Sequence, residues 1–168
     1  MVVCDSAHLI HLSRVGRLDI LKEIFKDVKI PDSVYREVVT EAKDLGKPGV
    51  RGIEEALEDG WIEVVEAKNR QDIDNLSESE RIEIEDAEVI CLARVLSEGL
   101  VTSDGWLVKV AGTLGIRVIW TTTVVLMAAK KGVTSKEEAR QLLRDLVRSG
   151  LYLRADVYAA LVDEIGCL

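Results

Sequence analysis

The sequence predicts an α/β protein, a three-layer sandwich in which helices cover both faces of a central parallel sheet of about five strands. Short apolar runs alternate along the chain with longer segments of helical periodicity. This alternation is typical of parallel strands joined by helical crossovers. The chain has 168 residues, of which 48% are hydrophobic and 31% charged, a composition that fits one domain with a substantial core.

Five segments fit the strand pattern because each is a short apolar or alternating run. They are residues 2–5, 28–30, 61–65, 100–103 and 117–121. In parallel sheets of this kind, ligands bind beyond the carboxyl ends of the strands. Asp5 and Asp104 each lie at such an end, which is the first indication of where a functional site lies.

The segments between the strands predict helices. The first runs through apolar residues 9–24, the second follows Pro31, and a glycine-rich loop covers residues 45–52. Ser77 and Glu80 have capping-box spacing, which predicts one long helix from there to about residue 97. Further helices are expected at residues 53–57, 106–114, 123–131, 136–149 and 155–165. We interpret residues 1–168 as a single domain, with a core of about 1–133 and a C-terminal helical extension of about 134–168.

Charge and cysteine content restrict the classes of function. The net charge of −8 argues against a protein that binds nucleic acid through a broad basic face. Three widely spaced cysteines with no CxxC pair favour reduced thiols in a cytoplasm over a disulfide framework or zinc cluster. No apolar run approaches a membrane span, and residues 1–12 lack the features of a signal peptide.

Four dispersed acids are the strongest candidates for chemistry. Asp86 shares one predicted helix face with Ile82 and Ile90, and a carboxylate in an apolar stripe needs a partner or a cation. Glu37 lies between apolar residues of the second helix, while Asp5 and Asp104 follow strands. Each acid has an ordinary explanation as well. Glu37 can be solvated, Asp86 can pair with a buried arginine, and Asp5 and Asp104 can be helix N-caps.

Several longer motifs resemble the PIN-domain superfamily of nucleases, and within it the prokaryotic branch related to toxins of VapC type. The similarity is carried by VVCDSAHLIHLSRVGRLDIL, IPDSVYREVV, EDAEVICLA and LVTSDGWLVKVAGTLGIRVI. The closing LLRDLVRSGLYLRADVYAALVDEIG resembles the C-terminal extension of one PIN subfamily. Two departures are Glu85, where that subfamily usually has glycine, and TTTVVL, where a glycine-containing turn is usual.

The resemblance implies that Asp5, Glu37, Asp86 and Asp104 form one catalytic site and bind Mg²⁺ or Mn²⁺, since these ions prefer oxygen ligands. It implies auxiliary roles for Ser6 and Ser103, and at most such a role for Glu88. RNA is the implied substrate. A homodimer and an antitoxin protein are the implied partners.

Other residues have competing interpretations. His8 and His11 lie one helical turn apart, but packing or surface placement explains them better than zinc, because no third ligand accompanies them. The three tryptophans are either core residues, which their apolar surroundings favour, or stacking platforms for bases. They are Trp61, Trp106 and Trp120. Cations that can contact phosphates are Lys47, Arg51, Lys109, Lys130 and Lys131, each of which is also an ordinary surface charge.

Three other functions remain open at the level of sequence. The chain can be an inactive binding module of the same fold, although all four acids are present. It can be a phosphotransfer protein, but Asp5-Ser6-Ala7 does not match the DxD motif of phosphatases, and no receiver-type phosphorylation site follows the third strand. It can also act only through its C-terminal helices, whose stripe from Leu151 to Ile165 is too apolar for a free helix.

Overall fold

The computed structural model describes residues 1–168. Five parallel strands form one sheet in the order β3-β2-β1-β4-β5. The strands are β1 (Val2–Cys4), β2 (Val28–Ile30), β3 (Ile62–Val64), β4 (Gly99–Thr102) and β5 (Val118–Trp120). Helices flank this sheet, so the predicted α/β sandwich with a parallel sheet of five strands is confirmed.

The central strand is apolar on both faces, as expected when helices cover both sides of a parallel sheet. Val2, Val3 and Cys4 are completely buried. Val2 pairs with Val28 of β2 on one side and with Gly99 of β4 on the other. This register places the carboxyl ends of β1 and β4 side by side.

The first helices connect the strands on the β2 and β3 side of the sheet. They are α1 (Ser6–Arg14), α2 (Asp19–Phe25), α3 (Asp32–Tyr35), a π-helix (Arg36–Glu41), α4 (Ala42–Asp44) and α5 (Val50–Glu58). The helices after β3 are α6 (Arg70–Glu80), α7 (Ile84–Leu96), α8 (Gly105–Thr113), α9 (Thr121–Lys130), α10 (Lys136–Arg148) and α11 (Ala155–Cys167). Each of these helices is too short or too polar to serve as a transmembrane span.

The C-terminal apolar stripe folds back on the protein. Helices α10 and α11 pack against α9 and against each other. Leu143 and Ile165 are completely buried, and Leu161 is nearly so. Tyr152, in the connection between α10 and α11, is exposed. The apolar residues of the extension are therefore accounted for mainly by intramolecular packing.

The predicted first helix is two helices. The α1 helix ends at Arg14, and Gly16 has a φ of +69°, a left-handed conformation that glycine adopts at little cost. Apolar residues continue through Ile20 and Ile24 with helical spacing, and this spacing concealed the break.

The predicted capping box at Ser77 and Glu80 is wrong. The Ser77 hydroxyl donates to the Ile82 carbonyl oxygen (2.7 Å), and Arg81 takes a left-handed conformation with a φ of 54°. These residues therefore end α6, and α7 begins at Ile84. As a result Asp86 lies in the first turn of α7, and Ile82 precedes that helix.

Two smaller differences affect the region around Glu37. The second predicted helix contains a π-helical turn, Arg36–Glu41, which includes this acid. In a π-helical turn each backbone hydrogen bond spans one residue more than in an α-helix, and such turns are frequent at functional sites. The α5 helix begins at Val50, so the predicted glycine-rich loop is shorter than expected.

Candidate active site

The sheet brings two acids together at its carboxyl edge. Asp5 follows β1 directly, and Asp104 lies two residues beyond the end of β4. The two strands are hydrogen-bonded neighbours, with Cys4 opposite Val101. The next position along this register places Asp5 beside Thr102, and the backbone N–H of Asp5 donates to the Val101 carbonyl oxygen (3.2 Å).

Asp5 is held by two hydrogen bonds and is only 4% exposed. Its Oδ1 accepts from the backbone N–H of His8 (2.8 Å), so Asp5 is the N-cap of α1. Its Oδ2 accepts from the hydroxyl of Thr102. The same hydroxyl oxygen accepts from the backbone N–H of Asp104 (3.0 Å). Thr102 therefore links the two acids and fixes their relative positions.

Asp104 is the N-cap of α8, and its side chain is exposed. Its Oδ1 accepts from the backbone N–H groups of Trp106 (2.8 Å) and Leu107 (3.0 Å). Its Oδ2 makes no hydrogen bond within the chain. The N-cap explanation is thus correct for both Asp5 and Asp104, and it leaves Asp104 with a free carboxylate oxygen that can face a ligand.

Asp86 and Glu37 approach the same edge from neighbouring helices. Asp86 is half-buried in the first turn of α7, and Glu37 is half-buried in the π-helix that continues α3. Helices α3 and α7 are in contact. The negative charges of Glu37 and Asp104 both act on Asp86, and those of Asp86 and Asp104 both act on Asp5. All four predicted acids are therefore electrostatic neighbours.

Burial and repulsion from neighbouring carboxylates make ionisation of Asp5 and Asp86 costly. Burial, with added repulsion from Asp86 and Asp104, raises the pKa of Asp5 to about 6, although the bonds from Thr102 and His8 act in the opposite direction. Burial, followed by the charges of Asp104 and Glu37, raises the pKa of Asp86 to about 6 as well. Glu83 and Glu85 add smaller contributions at Asp86, and sequence inspection did not identify either as part of the site.

No basic side chain neutralises the cluster. None of the four acids takes part in a salt bridge. The buried arginine that was the main alternative for Asp86 is therefore not found. Glu88 is different, because its carboxylate pairs with Arg70 of α6 at 3.4 Å. Glu88 thus has the basic partner in α6 that the other four acids lack.

The donor set fits a hard divalent cation. Carboxylate oxygens are the ligands that Mg²⁺ and Mn²⁺ prefer, and Mg²⁺ usually keeps several waters and takes only one or two carboxylates from the protein. No three histidine, cysteine, aspartate or glutamate side chains converge as a ready-made metal cage. The chemistry of the donors is therefore what suits a divalent cation: they are carboxylate oxygens, and no lysine or arginine forms a salt bridge with them.

Ser6 and Ser103, the serines next to Asp5 and Asp104, do not hydrogen-bond to these acids as Thr102 does. Ser6 and Ser103 are half-buried, and neither side chain makes a hydrogen bond within the chain. The hydroxyl that contacts Asp5 belongs instead to Thr102, which the sequence analysis did not single out. Knowledge of the strand pairing would have identified Thr102, because Asp5 lies opposite Thr102 when β1 pairs with β4.

The histidines pack into the protein. His8 is completely buried, and a hydrogen bond of 2.8 Å joins its Nδ1 to the Thr121 hydroxyl. Burial, with a further contribution from the charge of His11, lowers the pKa of His8 to about 3. His8 is therefore neutral at physiological pH and adds no positive charge to the site.

The lysine and arginine side chains considered as phosphate contacts differ in their exposure and in their partners. Arg51 pairs with Glu55, and Lys131 donates to the Ile24 carbonyl oxygen. Lys47 and Lys130 are exposed. Lys109 is exposed and belongs to α8, the helix that Asp104 caps.

The tryptophan prediction was wrong for two of the three residues. Trp106 and Trp120 are 50% and 42% exposed, and only Trp61 is largely covered. Both exposed side chains belong to elements that begin or end at the carboxyl edge of the sheet. Their apolar sequence surroundings did not reveal this, because each tryptophan lies at one end of the element that it shares with its apolar neighbours.

Comparison with known families agrees with this arrangement. A family model described as PIN domain matches residues 1–166, nearly the whole chain. The chain belongs to the PIN-domain family. Neither the curated proteins nor the solved structures include a match to it. The PIN fold is a nuclease fold, and PIN domains are typically hydrolases that use divalent metals.

Thr102→Val is expected to destabilise the protein more than Thr102→Ser, although valine has the higher strand propensity. Valine removes the donor to buried Asp5 and the acceptor for the Asp104 N–H, a loss of about 1–3 kcal/mol. Serine keeps the hydroxyl. Urea unfolding of both variants at pH 7 measures the difference, and a Thr102→Val protein that is more stable than Thr102→Ser would show that the link is unimportant.

The metal-free protein is expected to become more stable as pH falls from 7 to 5. The folded-state pKa values of Asp5 and Asp86, about 6, lie above the ordinary value of 3.8, so the folded state binds more protons in this range. Urea unfolding in the presence of a chelator should show a gain on the order of 1–2 kcal/mol after solvent screening is allowed for.

Asp86→Asn is the matched variant for that measurement. It removes one of the repelling charges and also relieves Asp5, so the gain in stability on acidification should shrink. Saturating Mg²⁺ should likewise abolish the gain in the wild-type chain, because a bound cation favours the ionised carboxylates. An unchanged pH profile in Asp86→Asn would contradict the electrostatic coupling of these acids.

Proposed function

We propose that this PIN-domain protein is a divalent-metal-dependent endoribonuclease that hydrolyses phosphodiester bonds in RNA. One observation carries the proposal. Four carboxylates act on one another electrostatically near the carboxyl edge of the parallel sheet, and none of them forms a salt bridge. Uncompensated buried charge is costly, and proteins retain it mainly where function requires it.

The proposed ligands are the acids fixed by the backbone. Asp5 and Asp104 are the primary ligands of Mg²⁺ or Mn²⁺, because their strand ends and N-cap bonds hold them in place. Asp86 would complete the set of ligands. Glu37 would accept a hydrogen bond from a water molecule and orient it for attack on phosphorus.

When bound, the divalent ion supplies positive charge at the scissile phosphate and lowers the pKa of water. The remaining contributions come from the chain itself. The hydroxyl of Thr102 orients Asp5 and favours its ionised form, which partly opposes the effect of burial. Ser6 and Ser103 lie beside the two primary ligands, where their hydroxyls are available to hydrogen-bond water or substrate.

The proposal extends to the biological context of the protein. The VapC-like similarity suggests the toxin of a toxin–antitoxin pair, with an antitoxin protein and a second copy of the chain as partners. A neighbouring gene for a small DNA-binding protein would support that role. Three free thiols, one of them the exposed Cys167, fit the reducing cytoplasm.

Asp5→Asn and Asp104→Asn are each expected to reduce cleavage of a labelled RNA by about two orders of magnitude or more, because each removes a primary ligand charge. Chelation of divalent ions should abolish cleavage, and added Mg²⁺ or Mn²⁺ should restore it. Gel electrophoresis of the RNA after timed incubation with purified protein measures the rate.

Asp163→Asn is the matched control. It makes the same change of charge at an exposed position of α11 that forms no ion pair. Its cleavage rate should equal that of the wild-type protein. Full activity of Asp5→Asn, or activity that persists in excess chelator, would end the assignment, provided that circular dichroism shows each variant to be folded.

A further inference from the structure

Two large aromatic side chains are exposed beside the carboxylate cluster. Trp106 is 50% and Trp120 42% exposed, whereas most large apolar side chains in this protein are buried. Burial of an indole is strongly favourable, so two neighbouring exposed indoles indicate a surface that binds something. Trp61 makes a useful comparison, because it is largely covered and precedes β3 at the opposite, amino edge of the sheet.

Both indoles are fixed relative to Asp104. Trp106 lies in the first turn of α8, and its backbone N–H donates to Asp104 Oδ1 at 2.8 Å. Trp120 ends β5 and is paired in register with Thr102 of β4. Its Cη2 atom lies 3.9 Å from the position that a Cβ on Gly105 would occupy. The ring of Trp120 therefore covers the peptide segment between Asp104 and Trp106.

A cation accompanies the aromatic pair. The ammonium Nζ of Lys109 lies 4.9 Å from the centroid of the Trp106 ring, within the range of a cation–π contact. An indole has two faces, and Lys109 approaches one of them. A base stacked on the indoles would bring its phosphate within reach of this flexible exposed side chain. In a chain of net charge −8, such a local cation offsets repulsion of the phosphate backbone.

We propose that Trp106 and Trp120, with Lys109, form a stacking platform for unpaired bases of a nucleic-acid strand that enters the carboxylate site. The inference rests on the proposed nuclease function and names the side chains that hold the strand beside that site. Aromatic side chains bind bases of any identity through their π-faces, but bases inside a duplex are already stacked on their neighbours. The platform therefore favours unpaired bases over a duplex and accepts a base of any identity.

The test measures binding apart from cleavage. The full chain carrying Asp5→Asn is titrated in Mg²⁺ against a fluorescently labelled single-stranded RNA decamer, the same strand with abasic central positions, and the matching duplex. Anisotropy gives each Kd, and gels confirm that the strands stay intact. Binding to the single strand should be roughly five- to hundredfold tighter than to the abasic strand, which is the range that base–aromatic stacking provides.

Variants then assign the preference to particular residues. The double change Trp106→Ala and Trp120→Ala should make the Kd values of the base-bearing and abasic strands equal. The double change to phenylalanine should keep most of the preference, which shows that an aromatic ring is what matters. Trp61→Phe should bind as the parent does. Circular dichroism identifies any variant that fails to fold, in which case the single changes Trp106→Ala and Trp120→Ala replace it.

The outcomes separate the platform from the nuclease. A preference for bases that survives in the double alanine variant overturns the platform, even if cleavage by the wild-type chain is normal. Tighter binding of the duplex or of the abasic strand, or no binding to any strand, also overturns it. Absence of metal-dependent cleavage by the wild-type chain overturns the nuclease proposal, whatever the binding data show.

Discussion

The hydrogen bond from Thr102 to buried Asp5 is the interaction on which the rest of the site depends. It joins the ends of the two central strands, and its oxygen also receives the N–H of Asp104. The sheet thereby fixes two carboxylates before any ligand arrives, so neither pays the full entropic cost of being ordered on binding. The apolar centre of the sheet, including completely buried Val2 and Val3, makes this arrangement rigid.

The two acids that we propose as primary metal ligands also stabilise the fold. Asp5 and Asp104 are N-caps of α1 and α8, where a carboxylate interacts favourably with free N–H groups and with the helix dipole. These bonds partly offset the cost of placing Asp5 and Asp86 near each other. The offset is incomplete, since the pKa of both acids stays raised to about 6. A divalent cation would relieve the remaining cost, which comes first from burial and then from repulsion between the carboxylates.

The sequence was sufficient for the architecture and for the position of Asp5 and Asp104 beyond strand ends, because strands that alternate with helices leave few topologies. It was insufficient where a single residue decides between two local structures. Ser77 can start or end a helix, and only its bond to Ile82 shows that it ends α6. Thr102 was missed because its role depends on which strands are neighbours. The exposure of Trp106 and Trp120 was missed because local apolar content does not show which residues lie at the sheet edge.

The most direct test of the account is a crystal structure of the protein with Mn²⁺, with the ion located by its anomalous scattering. The account predicts an anomalous peak in contact with carboxylate oxygens of Asp5 and Asp104, close to Asp86, with the bond from Thr102 to Asp5 preserved. A cluster that stays free of metal at saturating Mn²⁺, with the acids turned apart or neutralised by a basic side chain, would contradict it.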